Sequence, residues 1–236
     1  MKKKVFELLR MFVLVALAPV LSTSLVSCNP ENGEEEMSYL AVDLGLSVKW
    51  AACNVGTDLP EGSGAYFAWG ELADKYNYVW EEYKWSKKDG DDYRAVTKYC
   101  TNSKYGDVDN KSVLEAEDDI ARVKWGGNWR LPTKEEFKEL RDKCTSEWVS
   151  VNGVNGYKFT GPNGNSIFLP ASGRRSYEYQ IDDEGVEGHY WSSTISETDC
   201  FMAFSLAFSE KERPRQIKTS RWVGLSVRPV IEYEVE

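Results

Sequence analysis

The first 37 residues limit what this chain can fold, because they have the composition of a leader followed by a linker. Three lysines at 2–4 precede an apolar run at 11–21, and the sequence Leu-Val-Ser-Cys follows at 25–28. This order is typical of a secretory signal that ends in a lipobox. The apolar run is nearer to about ten residues than to the roughly twenty that cross a bilayer, which argues against a membrane-spanning helix. We therefore expect a signal peptide at 1–27 and a lipidated N-terminus at Cys28.

Residues 28–37 are predicted to form a flexible acidic linker. After Cys28 the chain reads Asn-Pro-Glu-Asn-Gly-Glu-Glu-Glu, which contains no apolar residue and cannot bury enough surface to fold. Acidic residues directly behind a lipidated cysteine resemble the signal that sends lipoproteins of Bacteroidetes-type bacteria to the outer face of the outer membrane. That resemblance implies an outer-membrane, lipid-anchored protein at the cell surface, and a plain solvated linker is the alternative.

The remaining residues, 38–236, are enough for one well-packed domain and few for two. The net charge of the chain is −9, and no cluster of Lys and Arg interrupts its acidic background. Because nucleic-acid phosphates require a basic surface, we expect no nucleic-acid partner.

Four cysteines besides Cys28 lie in the expected domain. In an oxidising compartment four cysteines allow three disulfide connectivities, and the sequence does not choose among them. No two of them have the roughly two-to-four residue spacing of a zinc knuckle, so disulfides or buried thiols are favoured over zinc. These residues are Cys53, Cys100, Cys144 and Cys200.

Turn residues and alternating apolar residues predict strands on both sides of a helical middle. Asn-Gly pairs at 152–153, 155–156 and 163–164 tolerate the positive φ of tight turns, so they separate three antiparallel strands. Pro229 limits the last strand to an edge or end position. The predicted strands lie at 41–51 (two strands and a turn), 65–70, 148–151, 157–160, 166–169, 201–208 and 222–230.

Two helices are predicted between these strands. The first covers 113–123, where acidic residues near its start would complement the helix dipole. The second begins at Thr133, whose side chain is expected to form a capping box with Glu136. Strands around a helical middle predict an α+β fold. Apolar residues at helical spacing predict the buried stripe of the second helix, namely Phe137, Leu140 and Cys144.

Four further motifs carry a family resemblance. They are Trp-Gly-Gly-Asn-Trp-Arg-Leu-Pro-Thr at 125–133 with Glu-Glu-Phe at 135–137, Phe-Leu-Pro-Ala-Ser-Gly at 168–173, Tyr-Trp-Ser-Ser at 190–193 and Gly-Leu-Ser-Val-Arg-Pro-Val at 224–230. With the opening at 43–51, they resemble the Fibrobacter succinogenes major paralogous domain (FISUMP), which is abundant in lipoproteins of gut Bacteroidetes. The resemblance covers essentially the whole domain and implies a single FISUMP-like domain at 38–236.

The Arg-Leu-Pro-Thr segment at 130–133, followed by an acidic helix, also resembles the formylglycine-generating and sulfatase-modifying superfamily. That superfamily uses a C-type-lectin-like fold. The resemblance covers only a short stretch, and it carries no function with it. It implies a C-type-lectin-like α+β domain with short antiparallel sheets, two short helices and long irregular loops.

The sequence offers little catalytic machinery. His189 is the only histidine, and no Gly-x-Ser-x-Gly elbow supplies a serine nucleophile for it. The lone histidine also excludes the multi-histidine iron site of the oxidative branch of the lectin-like superfamily. Only Cys200 lies late enough in the chain for the copper-dependent formylglycine-generating branch. We therefore expect no catalytic residue and no cofactor.

Three groups of acidic residues raise the question of a calcium site, since calcium takes oxygen ligands. They lie at 89–92, 107–110 and 182–184, and none has the full pattern of an EF-hand loop. The Glu-Pro-Asn and Trp-Asn-Asp signatures of sugar-binding C-type lectins are also absent. We expect solvated loops here and no metal site.

The best candidate for ligand binding lies within a long irregular insertion at 74–110. Five aromatic residues alternate there with amides and charges, so they can stack on sugar faces or fill pockets on a protein partner. The alternative is that these rings anchor the insertion to the core, as long loops require. The residues are Tyr76, Tyr78, Trp80, Tyr83 and Trp85.

Together these features favour a non-catalytic recognition domain on a lipid-anchored envelope protein, acting in adhesion, glycan binding or protein binding. The expected partners are the membrane, through the lipid anchor, and a polysaccharide or protein ligand. Two alternatives stay open: an enzyme related to the sulfatase-modifying factors, and a structural component of fimbriae or the envelope. A reactive cysteine of low pKa would favour the enzyme, whereas an open aromatic groove would favour recognition.

Overall fold

A computed structural model describes residues 41–89, 93–178 and 180–234. The predicted signal peptide at 1–27, Cys28 and the predicted acidic linker at 28–37 lie outside the described residues. The described chain consists mostly of short antiparallel strands with two α-helices, which is consistent with the predicted α+β class. Neither α-helix in these ranges is long and apolar enough to cross a membrane.

The elements of the described ranges are short, and most of the strands pair with a neighbour in small sheets. Short 3-10 turns also occur at Trp80–Glu82 and Ala116–Asp118. The strands and helices are β1 (Ala41–Val42), β2 (Lys49–Ala51), β3 (Asn77–Tyr78), β4 (Ser86–Asp89), β5 (Tyr93–Val96), α1 (Ile120–Trp125), α2 (Lys134–Lys143), β6 (Thr145–Val151), β7 (Val154–Thr160), β8 (Ser166–Pro170), β9 (Arg174–Arg175), β10 (Tyr177–Glu178), β11 (Ile181–Asp182), β12 (Glu187–Ile195), β13 (Met202–Ser209), β14 (Arg215–Ser220) and β15 (Val230–Ile231).

The sheet β12–β13–β14 contributes side chains to both large core clusters. Its pairings are antiparallel, and β12 is buried at every position after its first residue. Tyr190 packs in one core cluster and Trp191 in the other, because successive residues of a strand point to opposite faces. The strand predicted at 201–208 is confirmed as β13, whereas β12 and β14 lie where no strand is predicted.

The predicted meander is confirmed as the sheet β6–β7–β8. Asn152 at φ 50° and Gly153 at φ 84° form the turn between β6 and β7, as the Asn-Gly signal predicts. The second Asn-Gly pair is not a turn. Gly156 lies inside β7 and pairs with Pro170, and a Cβ at this position would collide with the carbonyl of Leu169. Close approach of the two backbones therefore requires glycine here.

The second predicted helix is confirmed as α2, together with its cap. The side chain of Thr133 accepts a hydrogen bond from the Glu136 amide at 3.2 Å, and the Glu136 carboxylate accepts one from the Thr133 amide at 2.8 Å. Glu136 also receives a two-point ion pair from Arg130, at 2.7 and 2.9 Å. Phe137 and Leu140 are fully buried, so the cap orients a helix whose apolar face reaches the core.

Two alanine substitutions in this helix should measure separately how much its buried face and its N-terminal cap contribute to stability. We expect Phe137→Ala to lower the free energy of unfolding by roughly 3–5 kcal/mol, because it removes a fully buried ring. Thr133→Ala should cost about 1 kcal/mol through the lost cap. Urea unfolding measures both losses of stability. The control is Lys138→Ala on the exposed face, which should lower the free energy of unfolding by less than about 0.5 kcal/mol. Equal stability of all three variants would contradict this placement of the helix.

The first predicted helix is shorter and begins later than expected. Instead of 113–123, the chain forms a 3-10 turn at Ala116–Asp118 and then α1. The reason is Asp119, whose buried carboxylate accepts hydrogen bonds from the amides of Ala121 and Arg122 and so caps the helix at this residue. The acidic residues at 115–118 therefore precede the helix instead of forming its first turn.

The strands predicted at 222–230 and 65–70 are also wrong over most of their length. Only Val230 at the end of the first range belongs to a strand, β15. The rest of that range makes single bridges to different neighbours: Gly224 to Arg175, Leu225 to Phe67, and Ser226 to Tyr190. This segment changes its pairing partner at nearly every residue, so it alternates apolar and polar side chains without forming a continuous strand pair. The alternation in the sequence therefore resembles that of a strand.

Two large clusters of buried apolar side chains form the core of the described chain. The first lies under the aromatic insertion and includes Trp69, Trp85 and Trp191. The second lies between α2, the meander and β2, and includes Trp50 and Phe137. The buried tryptophans at 50, 69, 80, 85 and 191 thus divide between two centres of packing, each covered by a different part of the chain.

Candidate functional site

Four of the five predicted ligand-binding aromatics lie in the core. The exposed fractions are 1% for Tyr78, 5% for Trp80, 2% for Tyr83 and 6% for Trp85, whereas Tyr76 is 58% exposed. The four buried rings are therefore not available for stacking on a ligand in this arrangement. Their packing corresponds to the alternative interpretation of the segment, in which the rings anchor the insertion.

Hydrogen bonds fix the buried tyrosines of this segment. The Tyr78 hydroxyl lies 2.7 Å from both the Tyr66 carbonyl and an Asp74 carboxylate oxygen. The Tyr83 hydroxyl donates to the Trp69 carbonyl at 2.9 Å. Burial raises the pKa of Tyr78 and Tyr83 above the ordinary tyrosine value, because each phenolate would lose its hydration. Both hydroxyls consequently act as neutral structural donors.

Arg221 is the buried partner that organises these rings. Its guanidinium is fully buried and donates to the Tyr83 hydroxyl at 2.8 Å and to the carbonyls of Cys200 and Lys98 at 2.9 and 3.1 Å. It also lies over an aromatic cage at 4.8–5.9 Å from the ring centroids. The rings of this cage are Trp69, Tyr83, Trp85 and Tyr99. Hydrogen bonds and cation–π contacts thus replace water around the charge.

Replacement of Arg221 should therefore destabilise the whole insertion. We expect Arg221→Met to lower the free energy of unfolding by about 3 kcal/mol or more, because it leaves several buried oxygens without donors. Arg221→Lys should restore little of it, since an ammonium has no planar fork to reach the same oxygens. The exposed Arg213→Met serves as the control in the same urea unfolding experiment. A loss no larger than that of the control would contradict the role given to Arg221.

Next to these buried rings, in the chain or through packing, lies a group of aromatic and charged side chains that are wholly or partly exposed. We call it the aromatic face and define it by Tyr76, Tyr177, Trp222 and Arg94. Tyr76 is 58% exposed and Tyr177 is 70% exposed. The first directly precedes β3 and the second lies in β10, and the two strands pair with each other through Tyr78 and Tyr177. The exposed tyrosines are thus neighbours of one small ladder.

Trp222 and Arg94 both contact the buried ring of Trp80. The ring of Tyr78 packs against Gly224, and Trp80 meets Trp222 edge to face at a centroid distance of 5.3 Å. The guanidinium of Arg94 lies 5.7 Å from the Trp222 ring centroid and is exposed to solvent. Trp222 itself is half-buried. The face therefore combines exposed rings with an exposed cation. Its pairing with β3 and its ring contacts involve buried residues of the first core cluster, namely Tyr78 and Trp80.

Polar groups border the exposed tyrosines. Asp74 lies before Tyr76 in the chain and pairs with Arg175 at 3.2 Å, and the Asn77 amide donates to Glu82 at 3.1 Å. Asp74 is partly exposed, so its carboxylate stays accessible beside the rings. Aromatic faces bordered by hydrogen-bonding side chains suit a ligand that has both apolar and polar surfaces.

Of the residues of this face, only Tyr76 is predicted from the sequence as a candidate for ligand binding. Tyr177 lies in an alternating Tyr-Glu-Tyr-Gln stretch, and this alternation is a signal that could have been used. Its φ of 66° and its pairing with a distant strand leave no trace in a single sequence. Trp222 falls within a range that the pattern assigns to an ordinary strand, which conceals its half-buried position.

A small cavity lies elsewhere, at the start of α1. Its volume is about 180 Å³, and its lining includes Asp119, Arg122, Arg130 and Thr133. The polar groups of this lining already have partners within the protein: Asp119 accepts from three backbone amides, and Arg130 pairs with Glu136. Burial raises the pKa of Asp119. The named polar groups of the cavity are therefore already engaged, Asp119 in hydrogen bonds that cap α1 and Arg130 in an ion pair.

His189 is a buried member of β12. Its Nε2 lies 2.8 Å from the Glu187 carboxylate, and no hydroxyl or thiol of the described residues hydrogen-bonds to its ring. Burial is the main cause that lowers the pKa of His189, against the opposing effect of Glu187. The pair His189–Glu187 therefore has no serine or cysteine to activate.

The acidic groups considered for calcium separate in the structure. Asp109 accepts hydrogen bonds from the amides of Tyr99, Cys100 and Lys111, so it organises a loop. Asp107 lies near Lys87 and Asp183 near Arg174. The side chain of Asp89 and all of 90–92 lie outside the described residues.

The structure does bring one acidic cluster together, at Glu115, Glu117 and Asp118. The ammonium group of Lys98 contacts all three carboxylates, at 2.7, 3.5 and 2.6 Å. Lys84 adds a second contact to Asp118 at 2.7 Å. Lysine side chains thus occupy the position that a cation would take.

Comparison of the chain with family models, with curated proteins and with solved structures finds no match. The resemblance to the FISUMP domain and to the sulfatase-modifying superfamily therefore stays a prediction from the sequence motifs.

Proposed function

We propose that this chain is a non-catalytic recognition domain of a lipid-anchored envelope protein, and that its ligand is a polysaccharide. The observation that carries the proposal is the aromatic face, in which Tyr76 and Tyr177 expose 58% and 70% of their surface beside partly exposed polar groups. Within the proposal, the domain has a FISUMP-like, C-type-lectin-like architecture and is held at the outer face of the outer membrane. Adhesion to a glycan-coated surface is the role that such a site would serve.

The chemistry of the face favours a sugar over an apolar protein patch. Sugar rings present C–H groups that pack on aromatic faces and hydroxyl groups that need donors and acceptors at the border. Tyr76 and Tyr177 offer the first kind of contact, and the exposed part of Asp74 offers the second. The overall charge of −9 also suits a neutral or cationic glycan better than an anionic one.

The state of the thiols supports binding over turnover. Burial raises the pKa of Cys144 to about 11, so its thiol prefers the protonated form. A nucleophilic or copper-binding cysteine requires an accessible thiolate. His189 has a lowered pKa, and its ring hydrogen-bonds to Glu187 and to no hydroxyl or thiol of the described residues. These groups serve the core better than they would serve a reaction.

The binding experiment compares Tyr76→Ala/Tyr177→Ala with the wild-type protein on a panel of soluble polysaccharides, by affinity electrophoresis and calorimetry. We expect roughly tenfold weaker binding, because two stacking contacts are lost. The melting temperature should stay within about 2 °C, because exposed side chains contribute little to stability. The control is Leu59→Ala/Val186→Ala, which removes two exposed apolar residues outside the aromatic face.

Three results would overturn this proposal. The first is that the wild-type protein binds none of the polysaccharides of the panel, and the second is that the tyrosine variant binds as tightly as the control variant. The third is that the protein converts a cysteine of a sulfatase peptide to formylglycine. The third result would replace recognition with the enzymatic alternative.

The anchor is tested separately. We expect Cys28→Ala to move the protein from the membrane fraction to the soluble fraction, because the residue that would carry the lipid is lost. Immunoblotting of fractionated cells measures the change, and Cys144→Ala serves as a control because its buried thiol lies in the folded domain. Recovery of Cys28→Ala in the membrane fraction at the wild-type level would contradict a lipid anchor at this residue.

A further inference from the structure

We infer that Cys100 and Cys200 form a disulfide in the exported protein. The two residues are 100 positions apart, and their Sγ atoms lie 2.7 Å from each other in the core. This separation is well inside the contact distance of two non-bonded sulfur atoms and approaches the bonded length of about 2.05 Å. The fold thus already brings the two Sγ atoms within reach of each other.

Both cysteines are held in place by their surroundings. The amide of Cys100 donates to Asp109 at 2.9 Å, and its carbonyl accepts from the Asp109 amide at 3.0 Å. On the other side, the carbonyl of Cys200 accepts from Arg221 at 2.9 Å. Both residues have no exposed surface. Arg221 also donates to the carbonyls of Lys98 and Tyr99, directly before Cys100, at 3.1 and 3.3 Å. Because one guanidinium holds both backbones, the proximity of the sulfurs is a property of the fold.

The structure also selects this pairing among the three connectivities that the sequence leaves open. Cys100 and Cys200 belong to the first core cluster, under the aromatic insertion. Cys144 belongs to the second cluster, at the end of α2, and Cys53 packs in a third group with Ala52. A bond between Cys100 and Cys200 therefore requires no rearrangement of the described chain.

The step needs an oxidant, and a disulfide of a small molecule or of a thiol oxidoreductase supplies it. One protein thiolate attacks that disulfide and displaces a thiol, and the second protein thiolate then attacks the mixed disulfide and displaces the other thiol. The sum converts two protein thiols and one external disulfide into one protein disulfide and two external thiols. Since both sulfurs are buried in the folded chain and the pKa of Cys100 is raised, the exchange has to precede closure of the core.

The consequence concerns both location and the packing of the insertion. Disulfides persist in oxidising compartments, so this bond would indicate export by a criterion that does not depend on the leader sequence. The bond would also join the insertion, through Cys100, to Cys200, which lies two residues before β13. It would thereby add a covalent link within the core cluster that contains Tyr78, Trp80 and Trp85, the buried rings of the insertion.

The test uses the full-length protein recovered from the cell envelope, alkylated before digestion and analysed by mass spectrometry without reduction. We expect a peptide pair linked through Cys100 and Cys200 that disappears after reduction. The pair should persist in Cys144→Ala and be absent from Cys100→Ser and Cys200→Ser. Complete alkylation of Cys100 and Cys200 in the wild-type protein would overturn the inference, and this result is available even where the serine variants fail to fold.

Thermal melting provides a second measurement. A bond that closes a loop of this length should raise the melting temperature by roughly 10–20 °C over the reduced protein. Cys100→Ser/Cys200→Ser should melt at the lower temperature and not respond to reductant, whereas Cys144→Ala should still respond. A wild-type melting temperature that is the same after unfolding in reductant and refolding would count against the bond.

Discussion

The buried guanidinium of Arg221 is the interaction on which the insertion depends. A charge that is removed from water must regain its solvation within the protein. Here the carbonyls of Lys98 and Cys200 and the hydroxyl of Tyr83 provide oxygen acceptors, while four aromatic rings cover the remaining surface. These partners come from distant parts of the chain. The insertion therefore has one arrangement in which protein groups replace all the water around the guanidinium. The buried rings of the insertion are fixed in that arrangement.

Arg228 organises the other half of the molecule in a similar way. It is fully buried, and its guanidinium donates to the Asn54 side chain and to the carbonyls of Ala51, Ala52 and Phe168 at 2.6–3.0 Å. These contacts connect β2, the meander and the C-terminal segment. The residue belongs to the motif at 224–230 that resembles the FISUMP domain. Its surroundings give that motif a structural explanation, because an arginine here joins three parts of the chain.

The outcome of sequence reasoning follows from the range of each signal. The capping box at Thr133 and the turn at Asn152 are local, so they are confirmed to within a residue or two. The segment at 222–229 fails because its pattern is made by contacts with several distant neighbours. For the aromatic segment at 76–85 the sequence leaves ligand binding and anchoring both open, because composition does not distinguish a buried ring from an exposed one. Only the location of a buried partner such as Arg221 decides between the two.

The position of β2 has a consequence for how the domain can be cut and joined. β1 pairs with one edge of β2 and β15 with the other, so the first and last strands of the described chain are separated by a single strand. Ala41 lies opposite Ala51 and Ile231 opposite Lys49, so two interstrand spacings and an offset of two residues separate the ends by about 12 Å. A linker of a few residues would close that gap, and the chain could then be opened at an exposed hairpin such as the one between β13 and β14 without losing a core contact. The order of the strands along the chain is thus separable from their arrangement in space, and a circularly permuted domain would keep both buried arginines within the same sets of partners.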